Sequence, residues 1–215
     1  MDEQLLRSAE RVREAIVARA ITPNEFRSAL LDVPFIERDA WVDVVFGLDE
    51  LLPDGPELTR GCVPYLPSAV EALLFLADHV PMRANDVFVD IGSGVGRAAA
   101  LTFLLTGVHC IGIEVQSAHV EAARAMADRM GLSNLSFVAG DVLELADQVA
   151  HGTVFFLYCP FGGERLSKFL VMVEKLAQNR PIWVCTLDLP LPECGWLELV
   201  APTRLDVRMY RSLRS

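Results

Sequence analysis

With 215 residues, 52% of them hydrophobic and only 22% charged, the chain is long enough to bury a full core and has the composition of a soluble globular protein. A formal net charge of −10 leaves no basic footprint for gripping a phosphate backbone, which disfavours nucleic acid as a general partner while leaving room for a local basic groove. Five cysteines (Cys62, Cys110, Cys159, Cys185, Cys194) form no CxxC pair and, with four scattered histidines, no metal-ligand spacing, so free thiols and no metal are expected.

Apolar runs such as Val154 to Phe161 are broken well short of the roughly 20 residues that a membrane span needs. The opening "MDEQLLRSAERVREAIV" lacks the basic region, apolar core and cleavage site of a secretory signal. A cytoplasmic protein without membrane partners is expected. Nothing in the pattern speaks to oligomeric state.

Along the chain, Leu5, Ala9, Val12, Ile16 and Ala20 recur at helical spacing, predicting an amphipathic helix that ends near Ile21. "TPNEF" restarts a helix, with Thr22 as cap, Pro23 at the first position and Glu25 reaching back. A third helix is expected over Ile36 to Phe46. Residues 1–50 are therefore read as a helical extension, and the proline-rich 51–67 as a linker. Ser68 to Val80 opens with a second capping box, Ser68 and Glu71.

From there the pattern alternates. Strands are expected at Val87–Ile91, Cys110–Val115, Leu135–Val138, Val154–Tyr158 and Ile182–Leu187. Helices are expected at Val95–Thr106, Ser117–Met130, Val142–Val149 and Glu164–Gln178. Such alternation predicts a doubly wound α/β domain over 68–215, its parallel strands buried on both faces. "WLELV" and "LDVRMYR" are too close in sequence to pair any way but antiparallel, so the sheet should end in a hairpin.

The stretch "VFVDIGSGVGRAAA" places Gly92, Gly94 and Gly96 between the first strand and its helix, where a missing Cβ lets the backbone turn and a ligand approach. A dinucleotide site wants GxGxxG, but the third position counted that way is Arg97. Asp90 at the strand end would repel a pyrophosphate and welcome a cation. A nicotinamide-dependent oxidoreductase is thereby disfavoured.

The order acid-x-Gly-x-Gly-x-Gly resembles motif I of the class I S-adenosylmethionine (SAM)-dependent methyltransferases, and the likeness extends over residues 64 to 215. It implies a Rossmann-like seven-stranded sheet with an antiparallel C-terminal hairpin, SAM as cofactor and S-adenosylhomocysteine (SAH) as product. It also implies that Asp90, Gly92, Ser93, Gly94 and Gly96 cradle the methionine part, with Arg97 near its carboxylate. Glu114 would hold the ribose diol, a paired charged contact. Asp141, with Val142 beside it, would meet the adenine. Tyr65 and Tyr158 would flank the cofactor, and Cys159, Pro160 and Phe161 would line the acceptor pocket. More narrowly, "YLPSAVEALL", "DIGSGVGR" and "YCPFGG" resemble the branch containing non-SET histone lysine methyltransferases and their bacterial relatives. There the fourth strand often leads into Asn-Pro-Phe; here Cys159 stands at that Asn, and a thiol is a poor acceptor for an amine proton.

Each of these residues has a plainer reading. Glu114 can cap the following helix, and Asp141 can act as an N-cap with Glu144 three residues on. Tyr158 and Phe161 can be core aromatics, and Cys159 a small buried hydrophobe. Methyl transfer needs alignment and dryness more than an acid or base, so no catalytic residue is named. The expected function is SAM-dependent methyl transfer to a small-molecule or protein acceptor. The alternative is a non-catalytic SAM- or SAH-binding module acting through a protein partner. The N-terminal helices are expected to cap the cofactor cleft, against the alternatives of a prop behind the sheet or an oligomer contact.

Overall fold

The computed structural model describes residues 1–48, 52–56, 58 and 61–213. The expected boundary at 50 and 51 lies outside the described residues, as do positions 57, 59 and 60 of the expected linker and the last two residues of the domain. Seven strands, β1 (Val87–Ile91), β2 (His109–Glu114), β3 (Leu135–Ala139), β4 (Val154–Tyr158), β5 (Trp183–Leu187), β6 (Leu197–Arg204) and β7 (Val207–Ser212), form one sheet in the order β3-β2-β1-β4-β5-β7-β6. The first five are parallel, while β7 runs antiparallel to both β5 and β6. This is the expected doubly wound sheet closed by a hairpin, and its order reverses between β1 and β4, where ligands of such sheets bind.

Strand side chains alternate between two cores, as the pleat requires. Phe88, Cys110, Phe156 and Cys185 point into one; Val89, Ile111, Phe155 and Val184 point into the other. The first core is covered by α4 (Val70–His79), α5 (Arg97–Thr106) and α6 (Ser117–Met130), and the second by α8 (Gly163–Ala177).

The N-terminal helices α1 (Glu3–Val17), α2 (Pro23–Leu31) and α3 (Arg38–Phe46) extend the first core outward, α1 against α3 and α6, and α2 against α5. The Thr22 capping box forms as predicted. Trp41, fully buried, donates from Nε1 to Ser8 Oγ at 2.8 Å. The last carbonyls of α3 are met by Arg13, at Val44 and Val45, and by Arg129, at Phe46, so cations lie where the helix dipole favours them.

Two local expectations differ. Ser68 and Glu71 form no capping box: the Val70 N–H donates to Asp39 Oδ1 at 3.0 Å, while Glu71 pairs with Arg38 at 2.6 Å. A carboxylate from a neighbouring helix has displaced the local cap. The helix expected over Val142–Val149 shrinks to α7 (Ala146–Val149), because Asp141 takes the Leu143 N–H onto Oδ1 and closes a turn through its own carbonyl to Glu144.

Candidate functional site

The glycine loop is tied to the end of β2. Gly92 and Ser93 donate to the Ile113 carbonyl at 2.8 and 3.1 Å, and Gly94 donates to Glu114 Oε2 at 3.0 Å. Glu114, buried, takes the Gln116 N–H on its other oxygen at 2.8 Å. One carboxylate thus shapes the loop and starts the next helix. An ionised carboxylate has about four lone-pair sites, so two remain for a diol.

Asp90, 3% exposed, lies beneath this loop, and its Oδ2 has no partner. Burial and, secondarily, the charge of Glu114 raise its pKa from the usual carboxylate value to about 7. A buried acid with one unpartnered oxygen has room for a hydrogen-bond donor or a cation. Ser93 Oγ is buried and unpartnered beside it.

Over the loop lies a cover built from the stretch expected to be a mere linker. Val63 donates to the Pro160 carbonyl at 3.0 Å, and Cys62 bridges Phe161 as an isolated antiparallel pair. Asp54 Oδ1 accepts from both Tyr65 N (3.1 Å) and Gln116 Nε2 (2.8 Å), and the Gly55 N–H donates to Gln116 Oε1 at 2.6 Å. The Tyr65 ring, its hydroxyl pKa raised by burial, stands 5.4 Å from the ring of His119.

Between cover and strand ends runs a cleft that encloses about 760 Å³ of empty space, part of it open solvent. It is lined by the glycine loop, the ends of β2 and β4, the turn after β3, and from the cover by Leu58, residues 62–66 and Ser68. Asp90, Gly92, Ser93, Glu114, Asp141, Val142, Tyr65, Tyr158, Pro160 and Phe161 are brought together on it. Gly94, Gly96 and Cys159 lie just behind this surface: Gly94 under Tyr65, Gly96 packed on Phe137, and Cys159 half-buried at a positive φ of 42°.

Arg97 borders the cleft, but its guanidinium, on a side chain only 3% exposed, turns outward to the N-terminal helices. It reaches Asp43 Oδ1 (2.6 Å), Asp39 Oδ1 (2.9 Å), the Asp39 carbonyl (3.1 Å) and the Ser68 carbonyl. Four of its five N–H groups are engaged, so one is left for a ligand carboxylate. The helices expected as a cap touch the site through this residue, while Leu58, Cys62, Val63, Pro64, Tyr65, Leu66 and Ser68 line the cleft.

At the far end, Asp141 accepts from Arg165 Nη2, 2.7 Å from each carboxylate oxygen. Burial raises its pKa, but Arg165 and the Leu143 N–H outweigh that and hold it below the usual value. The Val142 N–H has no partner among the described residues. Tyr158 has its pKa raised by burial and then by Asp188. Sequence reasoning missed Asp54, Gln116 and Arg165. Arg165 had a signal, a cation in the first turn of the helix after the fourth strand; Asp54 had none, since only the folded cover shows its partners.

A family model described as "Methyltransferase domain" matches residues 83–157. The chain is 27% identical over 150 residues to an ATP synthase lysine N-methyltransferase of Caenorhabditis elegans, covering 66% of this chain and 76% of that protein. It is 28% identical over 72 residues to the sterol 24-C-methyltransferase of Pneumocystis carinii, of which it spans only 19%. Among solved structures, an RNA methyltransferase from Salinibacter ruber in complex with SAH is 25% identical, with a TM-score of 0.50 over 70% of this chain and 92% of that one. The chain thus carries a stretch that matches a methyltransferase domain and resembles SAM-dependent methyltransferases in sequence and fold.

A putative methyltransferase from Escherichia coli, 16% identical with a TM-score of 0.58 over 77% of this chain and 92% of that one, shares the fold. The donor set is one that SAM would fit: the unpartnered buried Asp90 oxygen could face an ammonium, Glu114 keeps lone pairs that a diol could use, and Asp141 lies beside the Val142 N–H where a base could pair. Among the described residues no helix is long and apolar enough to cross a membrane, and no cluster of three His, Cys, Asp or Glu side chains could hold a metal.

Proposed function

We propose that this protein transfers the methyl group of SAM to an amino group, with a protein lysine as the acceptor class. The observation that carries the cofactor reading is the unpartnered, buried Oδ2 of Asp90 under a glycine loop whose amides are already spent on β2. A hydrogen-bond donor satisfies that oxygen, and a cationic donor also offsets the buried charge. SAM supplies an electrophilic methyl when bound; this chain's residues bind and orient it and keep water out. Glu114 and Asp90 fix the two ends of its nucleoside and amino-acid parts, and the cover carrying Tyr65 excludes solvent.

The lysine reading draws on the lysine N-methyltransferase relative, of which the chain covers 76%. The net charge of −10 also suits a cationic acceptor. Calorimetry with SAM, SAH, NAD and NADP tests the cofactor: tighter binding of a nicotinamide cofactor would sink the assignment. Labelled methyl transfer onto proteins of the native host, read by mass spectrometry, tests the acceptor. Label confined to small molecules or to oxygen would remove the lysine reading and leave the cofactor reading standing. Binding without any transfer would favour the non-catalytic module.

A further inference from the structure

Arg165 joins three parts of the cleft. Its Nη2 is 2.7 Å from both oxygens of Asp141, its guanidinium carbon lies 5.6 Å from the centre of the Phe161 ring, and its side chain passes under Gly61 of the cover. A surface ion pair at its best would use the two-nitrogen fork. Here a single nitrogen straddles the carboxylate, and Nε is buried without a partner. The guanidinium is held by the carboxylate, the aromatic face and the cover together, and so restrains the direction of the Asp141 carboxylate.

That direction matters because of the neighbouring atoms. Asp141 Oδ1 already takes two donors, Leu143 N and Arg165 Nη2, while Oδ2 takes only the latter. Oδ2 therefore keeps a free lone pair. Beside it the Val142 N–H has no partner among the described residues. An acceptor next to a donor matches a purine bearing an amino group at C6 and an unprotonated N1. A purine with an oxo group at C6 and a protonated N1 presents the reverse and would leave both protein groups unpaired.

We infer that Arg165 is a positioning residue that holds Asp141 so that the site distinguishes a 6-amino from a 6-oxo purine. The inference rests on the SAM reading. A site built around a hydrogen bond rejects a ligand that cannot make it far more strongly than an apolar pocket rejects a change of shape.

The test is the ratio of dissociation constants for S-inosylhomocysteine and SAH, measured by calorimetry on the full chain, wild type and Arg165→Ala. Wild type should favour SAH by roughly tenfold to a hundredfold, and Arg165→Ala should bring the ratio close to unity. Where Arg165→Ala does not fold, Arg165→Lys, which keeps the charge without the planar fork, is read by the same ratio and should lower it. If Arg165 merely props the loop, both ligands weaken together and the ratio stays at the wild-type value, which overturns the inference. A wild-type ratio near unity overturns it too, with SAH binding intact. Failure of wild type to bind SAH at all would instead remove the cofactor reading, and the inference with it.

Discussion

The ring of Tyr65 rests on the backbone of Gly94: a Cβ placed on that glycine would fall 2.0 Å from Tyr65 Cδ2 and 2.1 Å from Cε2. Gly94 also sits at a φ of +51°, which side chains rarely adopt. Gly94→Ala should therefore lift the cover and lower SAH affinity by at least about tenfold. The penalty should shrink in a Tyr65→Ala background, with a coupling of roughly 1–3 kcal/mol. Additive effects of the two changes would show that the contact plays no part in binding.

Asp90 gives a pH dependence of unusual sign. Its pKa is raised in the folded state from 3.8 to about 7, so the folded chain binds this proton more tightly than the unfolded chain does. The carboxyl's contribution to stability is therefore lost as pH rises from about 4 through 7, the opposite of a salt-bridged acid. Asp90→Asn should raise the stability of the ligand-free protein at pH 8 by roughly 2–4 kcal/mol and change it little near pH 4. Binding of the cationic cofactor should favour the carboxylate and release a proton below pH 7. Calorimetry in buffers of differing ionisation enthalpy reads that release directly; no buffer dependence would exclude it.

Arg97 is the counter-charge for α3. Burial raises the pKa of Asp43, and the nearby guanidinium is what opposes that rise. Arg97→Met strands Asp43 and the Ser68 carbonyl, and should cost about 3–5 kcal/mol in a urea titration, with faster hydrogen exchange across Arg38–Phe46. Arg97→Lys should recover less than half, since one ammonium cannot span three partners. A loss under about 1 kcal/mol would mean that the N-terminal helices hold without it.

The parallel sheet was legible because buried strands such as "VFFLY" are apolar throughout and the first four are each followed by a helical period. Motif I was legible for the same reason that it works: only glycines tolerate those dihedrals. What escaped was whatever depends on distant pairing. Ser68 and Glu71 carry the right letters for a capping box, yet Asp39 from another helix reached Val70 first. The prolines of the linker marked the end of regular structure, but not that Asp54 would gather Tyr65 and Gln116 over the cleft. Arg97 reads as a ligand contact from its place in the motif, but its ties to Asp39, Asp43 and Ser68 lie outside the motif and could not be read from it.

Cys159 holds a φ of +42° at the end of β4. Asparagine tolerates that region better than cysteine, through local hydrogen bonding of its short polar side chain. Cys159→Asn should thus stabilise the domain by about 0.5–1 kcal/mol in urea unfolding. With an amine acceptor, its carbonyl should also speed transfer. A slower reaction, with stability gained, would show that the thiol suits the true acceptor better.

The cover is stitched to the protein on both flanks, at Pro160 and Phe161 on one and at Gln116 on the other. These seams join the cover to the chain after β4 on one side and to the start of α6 on the other, so a shift of the cover would move both ends of the cleft together. A ligand that rests against the cover therefore couples two sides of the cleft that are far apart in sequence.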